Sequence, residues 1–328
     1  MRRRDFLALV GDAAALWPFS STAQSQMAHV AILMSLPVSD PVVAPGWRKF
    51  TEALKERGWI EGRNIAFSIR STEGHAERYR PLAAELVALH PDVIVGVTTQ
   101  AVEALREQTD TIPIVMRGVA DPIASGFVAS LARPGGNITG PSSQASDIQE
   151  KSLQLLKEVR PEMVRVALLW TPENAASRRD RERIAAVAPK LGVTLESVPI
   201  RSAEDLANAL AVMAQNRPDA LLVHATAVLQ VNNKATIAFA LAQRLATFAS
   251  VATHMAREGL LLGFGPDFPA EYRVAAGYVD RILRGAKPAE LPVEQPTKFE
   301  LVINLRTARA IGLEIPPSLL ARAVEVIE

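Results

Sequence analysis

Hydroxyl, amide and charged side chains recur just past short apolar runs in this 328-residue chain, a placement suited to gripping a polar solute. Ser35 follows the run His29–Met34, and Thr98, Thr99 and Gln100 follow the nearly all-apolar Asp92–Val97. Asp121 lies shortly after Pro113–Met116. Trp170, Thr171 and Asn174 close the run Val164–Trp170, His224 and Thr226 close Ala220–His224, and Asp267 follows a glycine-bearing run at 260–265. Hydroxyls beside the unpaired amides of a helix N-terminus suit a carboxylate or another oxygen-rich group. Asp121 or Asp267 suits an ammonium, and Trp170 offers a ring face for stacking. Each also has a purely structural reading: Thr98, Thr99, Thr171, Asp121 and Asp267 as helix caps, Trp170 as core, His224 as a satisfied structural histidine.

Other chemistries lack their parts. The chain has no cysteine, which excludes disulfides, thiolate metal sites and thiol nucleophiles. Its five histidines, His29, His75, His90, His224 and His254, are scattered without an HExxH pair, so no metal site is expected. Neither a G-x-S-x-G elbow nor a G-x-x-x-x-G-K loop occurs. Gly135-Gly136 sits in a Pro-containing loop after a helical stretch, which reads as a turn near a hinge and not as a dinucleotide fingerprint. Lys plus Arg number 36 against 35 for Asp plus Glu, leaving no sustained basic face for nucleic acid. The expectation is binding without catalysis, cofactor or metal.

The elements that must position these residues alternate. Short β-branched runs take turns with amphipathic stretches, the pattern of parallel sheets covered by helices on both faces. A first set of strands at His29–Met34, Asn64–Arg70, Asp92–Val97 and Pro113–Met116 ends with a predicted helix over Pro122–Leu131. The alternation restarts with a helix at Asp147–Val159 and strands at Val164–Trp170, Val193–Ile200, Ala220–His224 and Thr247–Val251. Late segments are predicted as a strand near 260–264, a helix at Pro269–Arg284, a strand at Phe299–Asn304 and a last helix over Pro317–Ile327. The fold class is therefore α/β, with two Rossmann-like doubly wound lobes and a hinge. If 260–264 returns to the first lobe and 299–304 to the second, the lobes comprise 28–140 plus about 260–288, and about 141–259 plus 289–328.

Residues 1–23 read as an export signal. Arg2, Arg3 and Arg4 precede an apolar run, and Ser21-Thr22-Ala23 is a small-x-small cleavage site. Arg3-Arg4-Asp5-Phe6-Leu7 matches the twin-arginine export pattern. An uncleaved anchor or amphipathic helix is the competing reading, although the apolar run is shorter than the roughly 20 residues a span requires.

Two strings carry a family resemblance. Leu131-Ala132-Arg133-Pro134-Gly135-Gly136-Asn137-Ile138-Thr139-Gly140 resembles the S-L-x-R-P-G-G-N-[VI]-T-G signature of the ABC-transporter substrate-binding proteins that include tryptophan- and tyrosine-linked members. Leu291-Pro292-Val293-Glu294-Gln295-Pro296 through Phe299-Glu300-Leu301-Val302-Ile303-Asn304 is similar to that family's L-P-V-x-x-P-x-x-[FY]-x-L-x-[IV]-N motif. The resemblance implies a periplasmic-binding-protein type 1 architecture, three interlobe crossings and a solute trapped as the lobes close. It further implies a periplasmic, monomeric protein serving an ABC permease subunit and a cytoplasmic ATPase, with an amino acid or related small organic molecule as solute. A ligand-sensing protein for a membrane receptor, or a cleft enzyme of unknown reaction, is the alternative.

Overall fold

A computed structural model describes residues 27–143 and 145–328. The expected export signal at 1–23 lies outside the described residues. The first half forms β1 (Ala28–Met34), α1 (Ala44–Glu56), β2 (Ile65–Ser71), α2 (Tyr79–Ala88), β3 (Val93–Val97), α3 (Thr99–Arg106), β4 (Ile114–Arg117) and β5 (Ile138–Thr139). These strands make one parallel five-stranded sheet, ordered β2-β1-β3-β4-β5.

The second half forms α4 (Ala145–Val159), β6 (Arg165–Trp170), α5 (Ala175–Val187), β7 (Thr194–Pro199), α6 (Ala203–Asn216), β8 (Ala220–His224), α7 (Ala227–Val231), α8 (Asn233–Gln243), β9 (Ala246–Ser250), α9 (Thr253–Glu258) and β10 (Leu262–Pro266). After these come α10 (Phe268–Leu283), β11 (Phe299–Asn304), α11 (Leu305–Ile311), α12 (Pro317–Leu320) and β12 (Glu325–Ile327). The second sheet has seven strands, β12-β11-β10-β9-β8-β6-β7, with β10 and β11 antiparallel and the remaining pairs parallel.

The two-residue period of a strand explains why each sheet carries two cores. In β1, Val30 and Ile32 face a cluster with Phe50 of α1 and Tyr278 of α10, whereas Ala31 and Leu33 face Leu86 and Leu105 of α2 and α3. In β6, Val166 and Leu168 join one cluster with Leu153 and Phe248, and Ala167 and Leu169 join another with Leu206 and Met255. Each such Leu, Ile or Phe contributes about 1.5–3 kcal/mol by leaving water, which fixes both sheets as rigid bodies. No described helix is long and apolar enough to cross a membrane.

Three expectations are corrected. The strand expected at 260–264 does not return to the first sheet: Leu262–Phe264 pair with β9 and Leu262–Pro266 with β11. Only afterwards does the chain cross back, where α10 packs through Tyr272, Ala275 and Tyr278 into the first-lobe cluster. The predicted helix over 122–131 is a single turn, because Gly126 at φ +68° stops it and the Arg106 guanidinium binds the freed Ser125 and Gly126 carbonyls. The predicted last helix ends at Leu320; Glu325–Ile327 instead pairs with the otherwise open edge of β11.

The chain passes between the sheets after 140, at 266–268 and near 295–299. Gly140 serves the first crossing at φ +129°, where a side chain would run into the Met116 backbone. At the third, the Ser142 amide donates to the Glu294 carbonyl at 2.9 Å, tying two crossing segments together.

Candidate functional site in the interlobe cleft

The carboxyl ends of the parallel strands in both sheets face one cavity of about 440 Å³. That is where open α/β sheets place their ligands, and the volume lies within the usual range for small-molecule pockets. Of the residues expected from sequence, Ser35, Thr98, Thr99, Gln100, Asn174, His224 and Thr226 line it.

At the end of β3, Thr98 holds an unusual backbone conformation, φ +109° and ψ 157°. A β-branched residue in that region is strained by roughly 1–3 kcal/mol, so its surroundings must hold it there. Three contacts do so. Its Oγ1 accepts from the Ala101 amide at 3.3 Å, Tyr79 Oη lies 3.3 Å from the same oxygen, and its own amide donates to the Arg117 carbonyl at 2.9 Å. Val251, directly after β9 in the other lobe, is the counterpart at φ +71°. Gly265 passes so close to it that a Cβ there would stand 2.7 Å from the Val251 carbonyl oxygen.

The charged residues of the two walls differ. On the first, Arg117 ends β4 and is buried at the cavity with its guanidinium stacked on Phe268 and Tyr272, 4.7 and 4.1 Å from their ring centres. Its Nη2 donates to the Phe268 carbonyl at 3.1 Å, and its Nε lies 3.5 Å from Glu271 Oε2. Glu271 is buried behind the arginine. Burial pushes its pKa up to about 7, against the opposing pull of Arg117.

On the second wall, Asp180 of α5 is buried and lines the cavity. Its Oδ2 lies 2.8 Å from His224 Nε2 and accepts from Gln149 Nε2 at 3.2 Å. His224 is thus the brace of an acidic residue. His254 also lines the cavity; burial, then the nearby Arg257 charge, pull its pKa down to about 4, so its ring is neutral at pH 7.

Four expected residues do not line this cavity. Trp170 packs on the second-lobe core with the Arg181 guanidinium 5.1 Å over its ring, so both faces are covered. Thr171 turns its hydroxyl to Thr226 at 2.8 Å and borders an adjoining, more open hollow. Asp121 caps the turn at Ala124 at 2.9 Å and reaches Arg183 of the other lobe at 3.5 Å, a rim contact. Asp267 caps α10 by accepting from the Ala270 amide at 2.9 Å.

Sequence reasoning missed Arg117, Asp180 and His254. Arg117 directly follows the apolar run Pro113–Met116, one residue past its apparent end. Asp180 hides in the charged string Arg178-Arg179-Asp180-Arg181, and only its four-residue spacing from Ala176 and Ile184, both buried, separates it from the solvated face.

A family model described as ABC transporter substrate binding protein matches residues 30–327. The chain belongs to that family. The tyrosine-binding protein of Clostridioides difficile (strain R20291) is 23% identical over 277 residues, covering 84% of this chain and 79% of the relative. Among solved structures, a Streptococcus pneumoniae ABC domain in complex with L-Trp is 26% identical with a TM-score of 0.83, covering 92% of this chain and 99% of that one. A conserved domain protein of Vibrio cholerae is 28% identical with a TM-score of 0.84, covering 92% and 100%. The two-lobed, type 1 periplasmic binding architecture expected from the sequence strings is the architecture of this family member.

Proposed function

We propose that this chain is the extracytoplasmic solute-binding component of an ABC importer and captures an amino acid or a related small organic solute between its lobes. The observation that carries the reading is the pairing of a buried cation on one wall, Arg117, with a buried anion on the other, Asp180. A zwitterion placed between them satisfies both: Arg117 and the strained Thr98–Gln100 turn receive the carboxylate, and Asp180 receives the ammonium. The apolar remainder of the lining, including Leu36, Val97 and Phe268, takes the solute's carbon skeleton. The names of two relatives, one tyrosine-binding and one in complex with L-Trp, favour the same class.

Capture needs no chemistry. A solute that touches both walls only when they meet shifts the population toward the closed form by its differential affinity. The closed protein, exported and acting as a monomer, then presents both lobes to a permease subunit driven by a cytoplasmic ATPase. A thermal-shift screen of residues 24–328 against amino acids and small organic acids tests this, because a ligand that binds only the folded state raises its stability by mass action. One amino-acid class raises the melting temperature and binds at one per chain without turnover. Conversion of a hit to product, or absence of any shift, overturns the reading.

A further inference from the structure

Arg117 stands between two places an anion can occupy. One side faces the cavity; on the other, Glu271 is buried and does not line the cavity. We propose that Glu271 and the carboxylate of the bound solute share the single Arg117 guanidinium, so that capture of the solute draws a proton onto Glu271. The inference rests on the functional reading above and adds the regulation of that site.

The geometry gives Glu271 little other support. Arg117 is its ion-pair partner among the described residues, at 3.5 Å and not in the close two-pronged arrangement of a strong arginine–carboxylate pair. Facing it otherwise are the Gly118 amide at the end of β4, the Tyr272 ring beside it, and Asp267, a like charge that Lys49 of α1 meets only at 4.0 Å. Beyond the arginine stand His254 of α9 and, farther off, Asp40 and Arg257. With one buried cation for two carboxylates, one of them the buried Glu271, the second negative charge is strongly disfavoured. Aspartates and glutamates that share a site respond in this way, one of them keeping its proton.

The buried acid is already poised near neutrality in the free protein. A solute carboxylate arriving at Arg117 weakens the attraction that favours ionised Glu271, and the proton comes from solvent. His254 is neutral throughout this range and does not supply it. By reciprocity, mildly acidic medium tightens the hold on the solute.

Calorimetric titration with L-tryptophan and L-tyrosine from pH 8 to pH 6, in buffers of different ionisation enthalpy, tests the inference. The wild-type affinity for the amino acid that binds rises about five- to tenfold as the pH falls, with net uptake of a fraction of a proton near pH 7.5. In Glu271→Gln the profile flattens, and its affinity at pH 8 approaches that of the wild type at pH 6. Tryptamine or tyramine, which lack the carboxylate and keep a protonated amine across this range, bind with no such dependence. Binding with a flat profile and no proton uptake overturns the inference and leaves the functional reading standing. A dependence that persists in Glu271→Gln overturns it as well. If neither amino acid nor any other in the thermal-shift panel binds, the functional reading fails first and this inference falls with it.

Discussion

The two walls of the cleft solve the same problem with opposite charge. On the first, a cation is braced by rings and a carboxylate: Arg117 lies on Phe268 and Tyr272 with Glu271 behind it. On the second, an anion is braced by donors: Asp180 is held by His224 at 2.8 Å and Gln149 at 3.2 Å. Behind each pair a β-branched residue with positive φ, Thr98 or Val251, ends a central strand and turns the chain into the cavity. The difference teaches that the walls are not interchangeable. The first wall holds a cation whose buried carboxylate partner stands off at 3.5 Å, and the second holds an anion gripped closely by a histidine and an amide.

The largest break in this comparison is Arg117→Met. It removes the cation and leaves Glu271 enclosed without its partner, so amino-acid binding falls at least about a hundredfold by titration calorimetry and the melting temperature drops at high pH. Adding Glu271→Gln restores stability and not binding. If Arg117→Met binds as the wild type does, the first wall does not hold the carboxylate.

Glu271 itself sharpens the contrast through stability. Its pKa moves up from 4.5 to about 7 on folding, so between those values the folded chain holds more protons than the unfolded one. Stability is therefore highest below about pH 4.5 as far as this group is concerned, falls as the pH rises through 7, and levels above it. The total is on the order of 3 kcal/mol. Denaturant unfolding of the ligand-free protein should show Glu271→Gln gaining on the wild type across that window. Parallel pH profiles for the two proteins contradict the assignment.

How far the sequence foretold this arrangement depends on the kind of residue. Strand ends were legible because apolar runs have sharp edges, which is why Ser35, Thr98, Thr99, Gln100 and His224 reach the cavity. Charged residues that break with the solvated norm were not, because Asp180 among arginines and Glu271 in Phe268–Arg273 look like surface helix until tertiary burial is known. Nor was the sheet membership of β10 decidable, since an apolar strand reads the same in either sheet and only pairing with β9 and β11 places it. Trp170 misled for a related reason: a ring at a strand end is equally suited to a core, and Arg181 closes its free face.

A change of intermediate size is Asp180→Asn, which keeps the hydrogen-bonding shape and removes the charge. The affinity for amino acids falls about ten- to a hundredfold, whereas carboxylic acids lacking the amine lose much less. Equal losses for both sets would mean that Asp180 does not meet the ammonium. The smallest effect belongs to the rim. Asp121→Asn removes the Arg183 contact across the lobes, whose partners are partly exposed, and weakens binding less than about threefold, with the difference shrinking further in high salt.

The most direct measurement is a crystal structure of residues 24–328 with the amino acid that gives the largest thermal shift. The account predicts the solute between the lobes, its carboxylate within hydrogen-bond distance of Arg117 and its ammonium on Asp180. A solute seated elsewhere, or bound in this cavity with neither side chain touching it, contradicts the account.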